Sequence, residues 1–226
     1  MARSTTIYLL RHAQSTANIK GILAGQDNEV ALSPKGEEQA LAVADALGSV
    51  KFNRILVSPL KRCRQTIAPL IKRNPTTKPA VARGVIEMDY GQWSGKRLIS
   101  LAKKPAWSSI QRAPSRFRFP DGESFEEMRA RAVATIESES KRGGNVLVVS
   151  HGDVIKVIIA HYLAMAPDAF QRLTIDPASI SRIDFHGDSI RVSQINDRAH
   201  LVAPAVPAAA NGKRDRHDLG GGAGPR

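Results

Sequence analysis

The sequence predicts an α/β fold, a three-layer α/β/α sandwich whose mostly parallel central sheet ends in an antiparallel edge strand. Short apolar runs alternate with stretches of helical period along most of the 226 residues, the pattern of strands joined by helical crossovers. Near the C-terminus, two β-rich runs flank His186-Gly187-Asp188-Ser189, which reads as a hairpin and so as antiparallel strands at one edge. A chain of this length with 42% hydrophobic residues can bury one substantial core. One domain is expected over residues 1–200, with a lid-like insertion at about 91–122 and a disordered Ala/Pro/Gly-rich tail over 201–226.

Taken in order, Thr6 to Leu10 is an apolar strand that stops abruptly at Arg11-His12. Asn18 to Val30, with Gly21, Gly25, Asp27 and Asn28, lacks periodicity and reads as a loop with about one helical turn. Ser33-Pro34 is a cap followed by proline at the first helical position, and Ala40, Val43, Ala44 and Leu47 share one face of a helix that Gly48 ends. Ile55 to Val57 is a short buried strand, and Ser58-Pro59 reads as a second cap-and-proline start for a helix through Ile67 and Leu70. Beyond Pro75 and Pro79, Ala80 to Ile86 is a third strand ending at Glu87, followed by an irregular excursion with a short helix near Leu98. Ser124 and Glu127 form a capping box ahead of the stripe Phe125, Met128, Ala132 and Ile136. Val146 to Val149, uncharged throughout, belongs at the sheet centre and runs into Ser150-His151-Gly152 and a helix carrying Val154, Val157, Ile158 and Tyr162.

Parallel sheets place ligands at the carboxyl ends of their strands. Arg11-His12, Ser58 to Arg62, Glu87 and His151 each follow an expected strand end, so four chain segments converge on one rim. These residues suit phosphoryl transfer. A phosphate monoester carries close to two negative charges, and its oxygens must be neutralised before a nucleophile can approach. Arg11 and Arg62 supply permanent charge and a planar fork, and His12, neutral near pH 7, is the nucleophile. His151 donates a hydrogen bond to an equatorial oxygen, and Glu87 protonates the leaving alkoxide and then deprotonates the attacking water. The aromatic stretch Tyr90 to Gly95 beside Glu87 is expected to raise its pKa by desolvation.

Together the Arg11-His12 pair, Asn18, Leu32-Ser33-Pro34-Lys35-Gly36 with Gln39-Ala40, Ser58 to Arg62 with Gln65-Thr66, Glu87 before Tyr90-Gly91-Gln92-Trp93, and Ser150-His151-Gly152 resemble the histidine phosphatase superfamily, founded on cofactor-dependent phosphoglycerate mutases. The resemblance spans roughly residues 5 to 200 and extends to actinobacterial members called probable phosphoglycerate mutases. It implies His12 as the phosphorylated residue, Arg11, Arg62 and His151 as the phosphate pocket, Glu87 as proton donor, and Asn18, Gln14 and Ser15 as phosphate or substrate contacts. Two positions depart from the pattern. Ala13 stands where the family usually has glycine, which would strain a positive φ, and Cys63 stands where alanine is common.

The expected activity is that of a histidine acid-type phosphatase, a phosphoric monoester hydrolase acting on a small anionic phosphorylated metabolite. Ser15 to Asn18 lacks the tryptophan of the mutases, and the stretch after Glu87 is closer to the phosphatase pattern. The alternative is a 2,3-bisphosphoglycerate-dependent phosphoglycerate mutase. A non-enzymatic basic protein is the reading from a different class, since the net charge is +12, but no nucleic-acid module or base-stacking series is recognisable. No cofactor and no metal are expected, because carboxylates do not cluster with His12 and His151 and two arginines repel a cation. Nor is a nucleic-acid or membrane partner expected, although a homodimer is compatible with the sequence. Single Cys63 and the lack of a signal or spanning segment point to the cytoplasm. Residues 96–119 carry seven cations and no acid, either a solvated face or a rim that attracts anions.

Overall fold

The computed structural model describes residues 4–201, so the expected tail lies, from Val202 onward, outside the described residues. Six strands, β1 (Ser4–Arg11), β2 (Arg54–Val57), β3 (Ala80–Val81), β4 (Gly144–Ser150), β5 (Ile180–His186) and β6 (Ser189–Asp197), form one sheet in the order β3-β2-β4-β1-β5-β6. The first four are mutually parallel, while β5 runs antiparallel to β1 and β6 to β5. The uncharged β4 sits between β2 and β1, as its composition predicts.

Alternation along β1 and β4 divides the core between two faces. Ile7, Leu9, Val146 and Val148 pack with α6 (Phe125–Ser140) and α7 (Gly152–Tyr162) through Met128, Ile136, Val154 and Ile158. Leu10, Leu147 and Val149 pack with α2 (Pro34–Leu47) and α3 (Lys61–Arg73) through Ala40, Val43, Ile67 and Leu70. Each such buried aliphatic side chain is worth roughly 1.5–3 kcal/mol in transfer terms. No helix among the described residues is long and apolar enough to cross a membrane.

Local chemistry sets the helix starts. The Ser33 hydroxyl accepts from the Gly36 amide, and Ser124 and Glu127 form the reciprocal capping box at α6. Gly36 is required by close approach, since a Cβ there would meet the Gln14 carbonyl oxygen at 2.0 Å. A short α1 (Thr16–Lys20) supplies the turn expected after β1.

Three expectations are corrected. Ser58 does not cap α3, whose N-cap is Leu60 without a side-chain bond. The third strand stops at Val81, and Arg83–Val85 is a 3-10 turn. The cause is α6: Arg131 Nη1 donates to the carbonyls of Gly84 (2.9 Å) and Ile86 (2.7 Å), which draws this stretch off the sheet edge. The excursion after Gly91 holds two helices, α4 (Leu98–Leu101) and α5 (Pro105–Arg112), and is anchored by a buried aromatic group. Trp93 lies 6.5 Å from Trp107 and 5.4 Å from Phe119, measured between ring centres.

Candidate active site

Strand ends lie level at one rim of the sheet. Arg11 stands opposite Ser150, and Val57 opposite Val149. The ladder continues one step beyond on each side, because the His12 amide donates to the Ser150 carbonyl (2.9 Å) and the Ser58 amide to that of Val149 (3.0 Å). Arg11, His12, Ser58 and His151 therefore emerge together, and Arg62 joins them from the first turn of α3. All five side chains are buried.

His12 Nδ1 lies 2.8 Å from the Ala13 carbonyl. A carbonyl only accepts, so Nδ1 carries the proton and the lone pair resides on Nε2. Burial, reinforced by Arg62 and Arg11, holds this imidazole well below its ordinary pKa, and it is neutral at pH 7. Ala13 itself is unstrained. Among the described residues only Asp121, Ala164, Ala178 and Asn196 combine a side chain with positive φ, so alanine fits where glycine was expected. Its amide donates to Thr66 Oγ1 (2.9 Å).

Backbone carbonyls aim the two arginines. Arg11 Nη1 donates to Ile175 O (2.5 Å), and Arg62 donates through Nη2 to Gly25 O (2.8 Å) and through Nη1 to Asp27 O (3.1 Å). Gly25 presents that carbonyl from a left-handed conformation (φ 54°), which favours glycine. Arg62 Nη2 also lies 3.3 Å from His151 Nδ1, and the two imidazole rings are 5.2 Å apart. Because guanidinium only donates, His151 Nδ1 accepts here and its Nε2–H donates to Ser58 Oγ (2.7 Å). Burial, then Arg62, keep this ring neutral as well. Cys63 Sγ lies 3.5 Å from the same Nε2, and burial pushes its thiol up to about 12, which suits a small inert side chain.

Glu87 reaches the cluster from the loop after the 3-10 turn, a correction to its expected strand-end position. Its Oε2 stands 3.7 Å from His151 Nδ1, and its Oε1 accepts from the Met88 amide (2.9 Å). Burial and the charge of Asp153 push its pKa up to about 7, against the opposing pull of Arg62, the Met88 amide and Arg11. The direction is the one expected from desolvation.

The expected substrate contacts divide. Asn18 and Ser15 are buried and bind each other: the Ser15 amide and hydroxyl both donate to Asn18 Oδ1 (2.9 Å each), which closes the capping box of α1. The Gln14 side chain accepts from Ser33 Oγ (2.9 Å) and so fastens the loop to α2. Gln39 and Gln65 do related work, their side-chain oxygens accepting from the amides of Gln14 and Leu32 at 2.9 Å.

Sequence reasoning missed four residues of the cluster. Ser58 binds His151, while Arg131 Nη2 holds the Glu87 carbonyl (3.1 Å). Buried Tyr90 donates from its hydroxyl to Asp153 Oδ2 (2.8 Å). Asp153 follows His151-Gly152 directly, and an acid so close to a candidate site histidine was a signal available in the sequence. Among the described residues no group of three or more His, Cys, Asp or Glu is arranged to hold a metal ion.

A family model described as the histidine phosphatase superfamily (branch 1) matches residues 7–198. The chain belongs to that superfamily. Among relatives of this histidine phosphatase, a protein named "Probable phosphoglycerate mutase GpmB" from Enterobacter sp. (strain 638) is 30% identical over 209 residues, covering 88% of this chain and 96% of its own. Bacillus stearothermophilus YhfR has a similar structure, with a TM-score of 0.80 at 25% identity, over 87% of this chain and 98% of its own. A mycobacterial glucosyl-3-phosphoglycerate phosphatase in complex with VO3 gives 0.77 at 25% identity, over 87% of this chain and 100% of its own.

The seven cations of residues 96–119 do not form one unit in this superfamily member. Arg118 pairs with Glu127 in the first turn of α6, so its charge is compensated from outside the segment. Lys96 and Arg97 are tied instead to the loop that aims Arg62: the Leu23 amide donates to Lys96 O (2.9 Å), the Gly95 amide donates to Leu23 O (2.8 Å), and Ile22 bridges Arg97.

Proposed function

We propose that the chain is a phosphomonoesterase that works through phosphohistidine at His12 on a small anionic phosphorylated metabolite. One observation carries the reading: a neutral imidazole with its lone pair on Nε2 shares a buried cluster with two guanidinium groups and a carboxyl group that keeps its proton to about 7. Arg11 and Arg62 bind the non-bridging oxygens, and His12 Nε2 attacks phosphorus. As the P–O bond breaks, the leaving alkoxide takes the Glu87 proton. The Glu87 carboxylate then draws a proton from water, hydroxide attacks the phosphohistidine, and inorganic phosphate leaves with His12 neutral again.

His151 stabilises an equatorial oxygen once its proton sits on Nδ1. Ser58 supports that exchange, because a hydroxyl can accept from Nε2–H before substrate binds and donate to Nε2 afterwards. A cytoplasmic location fits the single buried thiol. The mutase reading draws on the names of the relatives about 30% identical to this chain. Against it stands Ser15 to Asn18, which lacks the tryptophan typical of mutases.

Acid-sensitive phosphoenzyme trapping on a panel of phosphorylated metabolites tests the reading. The wild type should form a labelled, acid-labile intermediate and release phosphate without 2,3-bisphosphoglycerate. His12→Ala should form none and lose on the order of 10³-fold or more in rate. Full activity in that variant overturns the assignment, and transfer only in the presence of bisphosphoglycerate favours the mutase.

A further inference from the structure

Arg11 and His12 are gripped by a turn that closes between Asp176 and Ser179, where the Ser179 amide donates to Asp176 O (3.1 Å). Pro177 takes the first central position and Ala178 the second, with a φ of 61° that favours glycine or asparagine. Three bonds tie this stretch to the site. Arg11 Nη1 donates to Ile175 O (2.5 Å), the Arg11 amide to Ser179 O (3.1 Å), and the Ala178 amide to His12 O (3.2 Å). A strained backbone persists only where its surroundings over-determine it, and here the surroundings come from the end of β6. The Asp176 amide donates to Asn196 Oδ1 (2.6 Å), while Asn196 Nδ2 donates back to Asp176 Oδ2 (2.9 Å), a two-bond clamp. Asn196 itself has a positive φ (55°) and donates its own amide to Ser181 Oγ (3.0 Å). Arg198 Nη1 reaches the same Asp176 Oδ2 (2.7 Å), and His200 Nε2–H donates to Ala178 O (3.0 Å).

We propose that Asn196 is a positioning residue for phosphate binding: its clamp on Asp176 fixes the peptide group whose carbonyl aims the Arg11 guanidinium. The inference rests on the phosphatase reading, which makes Arg11 a ligand of the non-bridging oxygens. The Ile175 carbonyl and the Asp176 N–H belong to one peptide group, which is planar and trans, so they point in opposite directions. Arg11 Nη1 binds one side of this rigid unit and Asn196 Oδ1 the other. Rotating the unit would carry the Ile175 carbonyl away from Arg11. The return bond from Asn196 Nδ2 to Asp176 keeps the Asn196 amide from turning, and Arg198 holds the Asp176 carboxylate that accepts it. A guanidinium is a planar fork, so one N–H fixed on a carbonyl sets the plane in which its other donors meet an oxyanion. His200 braces the same turn at Ala178, whose amide holds the His12 carbonyl. The chain after β6 thus reaches the site through the backbone, from residues that touch no reacting atom.

The test measures vanadate affinity by calorimetry and kcat/KM on nitrophenyl phosphate in the full chain, for wild type, Asn196→Gly, Arg11→Ala and the double variant. Glycine keeps the positive φ at this position and removes only the side-chain amide. Asn196→Gly should weaken vanadate binding and lower kcat/KM by about tenfold each, since a displacement of about 1 Å at a reacting centre can cost on the order of 10²-fold. In the Arg11→Ala background the same change should cost less than about twofold, because the clamp then has no guanidinium to aim. Equal losses in the two backgrounds would make Asn196 a structural residue only and overturn the proposal. If Asn196→Gly does not fold, Asp176→Asn and Asp176→Ala decide. Asparagine still accepts from Asn196 Nδ2, so Asp176→Asn should restore most of the several-fold loss seen in Asp176→Ala. Equal losses in these two variants would place the effect in the Asp176 charge and overturn the clamp. A wild type that binds vanadate but cleaves no monoester defeats the phosphatase reading, whereas an unchanged vanadate affinity in folded Asn196→Gly defeats the positioning role.

Discussion

At the scale of single residues, burial and neighbouring charges set the protonation states of three titratable side chains in the cluster. His12 and His151 are buried against guanidinium groups and stay neutral, whereas Glu87 is pushed up to about 7 and keeps its proton only below that pH. An acid of that strength supplies a proton at neutral pH yet can take one back from water, which both halves of the proposed reaction require. The rate on an alkyl phosphate should therefore fall as pH rises through about 7, when Glu87 loses its proton. Glu87→Gln should abolish that limb and cost on the order of 10²–10⁴-fold on the alkyl substrate, but far less on nitrophenyl phosphate. Equal losses on both substrates would exclude the acid role. That Arg11, His12, Arg62 and His151 lie together was legible in the sequence, because the segments that carry them follow apolar runs that end abruptly. Ser58 was misread for a physical reason: serine before proline usually caps a helix, but here the hydroxyl finds His151, a tertiary partner remote in sequence. Tyr90 and Asp153 were not legible as a pair, since their hydrogen bond joins positions 63 residues apart.

At the scale of elements, the sheet and the four long helices follow from periodicity and caps, and the departures arise where tertiary bonds overrule local pattern. Residues 80–86 read as a strand with Val81, Val85 and Ile86, yet Arg131 on α6 binds the carbonyls of Gly84 and Ile86 and turns them away from the sheet. That diversion brings Glu87 beneath His151. The helix at Pro105 was missed although Lys104-Pro105 has proline at its first helical position, because the excursion after Gly91 reads as irregular apart from the short helix near Leu98. Its aromatic packing makes the excursion a fixed wall, and its bonds at Leu23 couple Lys96 and Arg97 to the loop that aims Arg62. Whether these two exposed cations attract a second anionic group on a substrate is open to a direct test. Replacing both with alanine should raise KM several-fold for a phosphorylated carboxylic acid and leave nitrophenyl phosphate nearly unaffected. The difference should vanish at high salt, because exposed charges are screened over roughly 8 Å at physiological ionic strength. Equal KM changes on both substrates, or none, would make Lys96 and Arg97 a solvated face.

At the scale of the whole molecule, the site works against the fold that holds it. Below pH 6.5 the unfolded chain protonates histidines that the folded protein keeps neutral, so His12 and His151 lower stability as pH falls through that value. Glu87 has the opposite sign. Its folded pKa is raised from 4.5 to about 7, so its contribution is complete below 4.5 and is lost as pH rises through about 7. Arg11 and Arg62 add two buried cations that donate to the carbonyls of Ile175, Gly25 and Asp27, and an oxyanion suits such a pair of guanidinium groups. Binding of an anion at this site should consequently stabilise the entire domain, whether or not the reaction proceeds. Vanadate, which mimics a phosphoryl group, should raise the midpoint of thermal unfolding. At a hundredfold excess over its Kd the linkage is about 2.7 kcal/mol. For a domain of this size that corresponds to a shift of roughly 5–10 °C. Calorimetry of Arg62→Ala should show little or no shift at the same concentration, because the guanidinium that bridges the loop at Gly25 to His151 is gone. A full shift in Arg62→Ala would mean that the anion binds elsewhere, and the assignment of the phosphate pocket would fall with it.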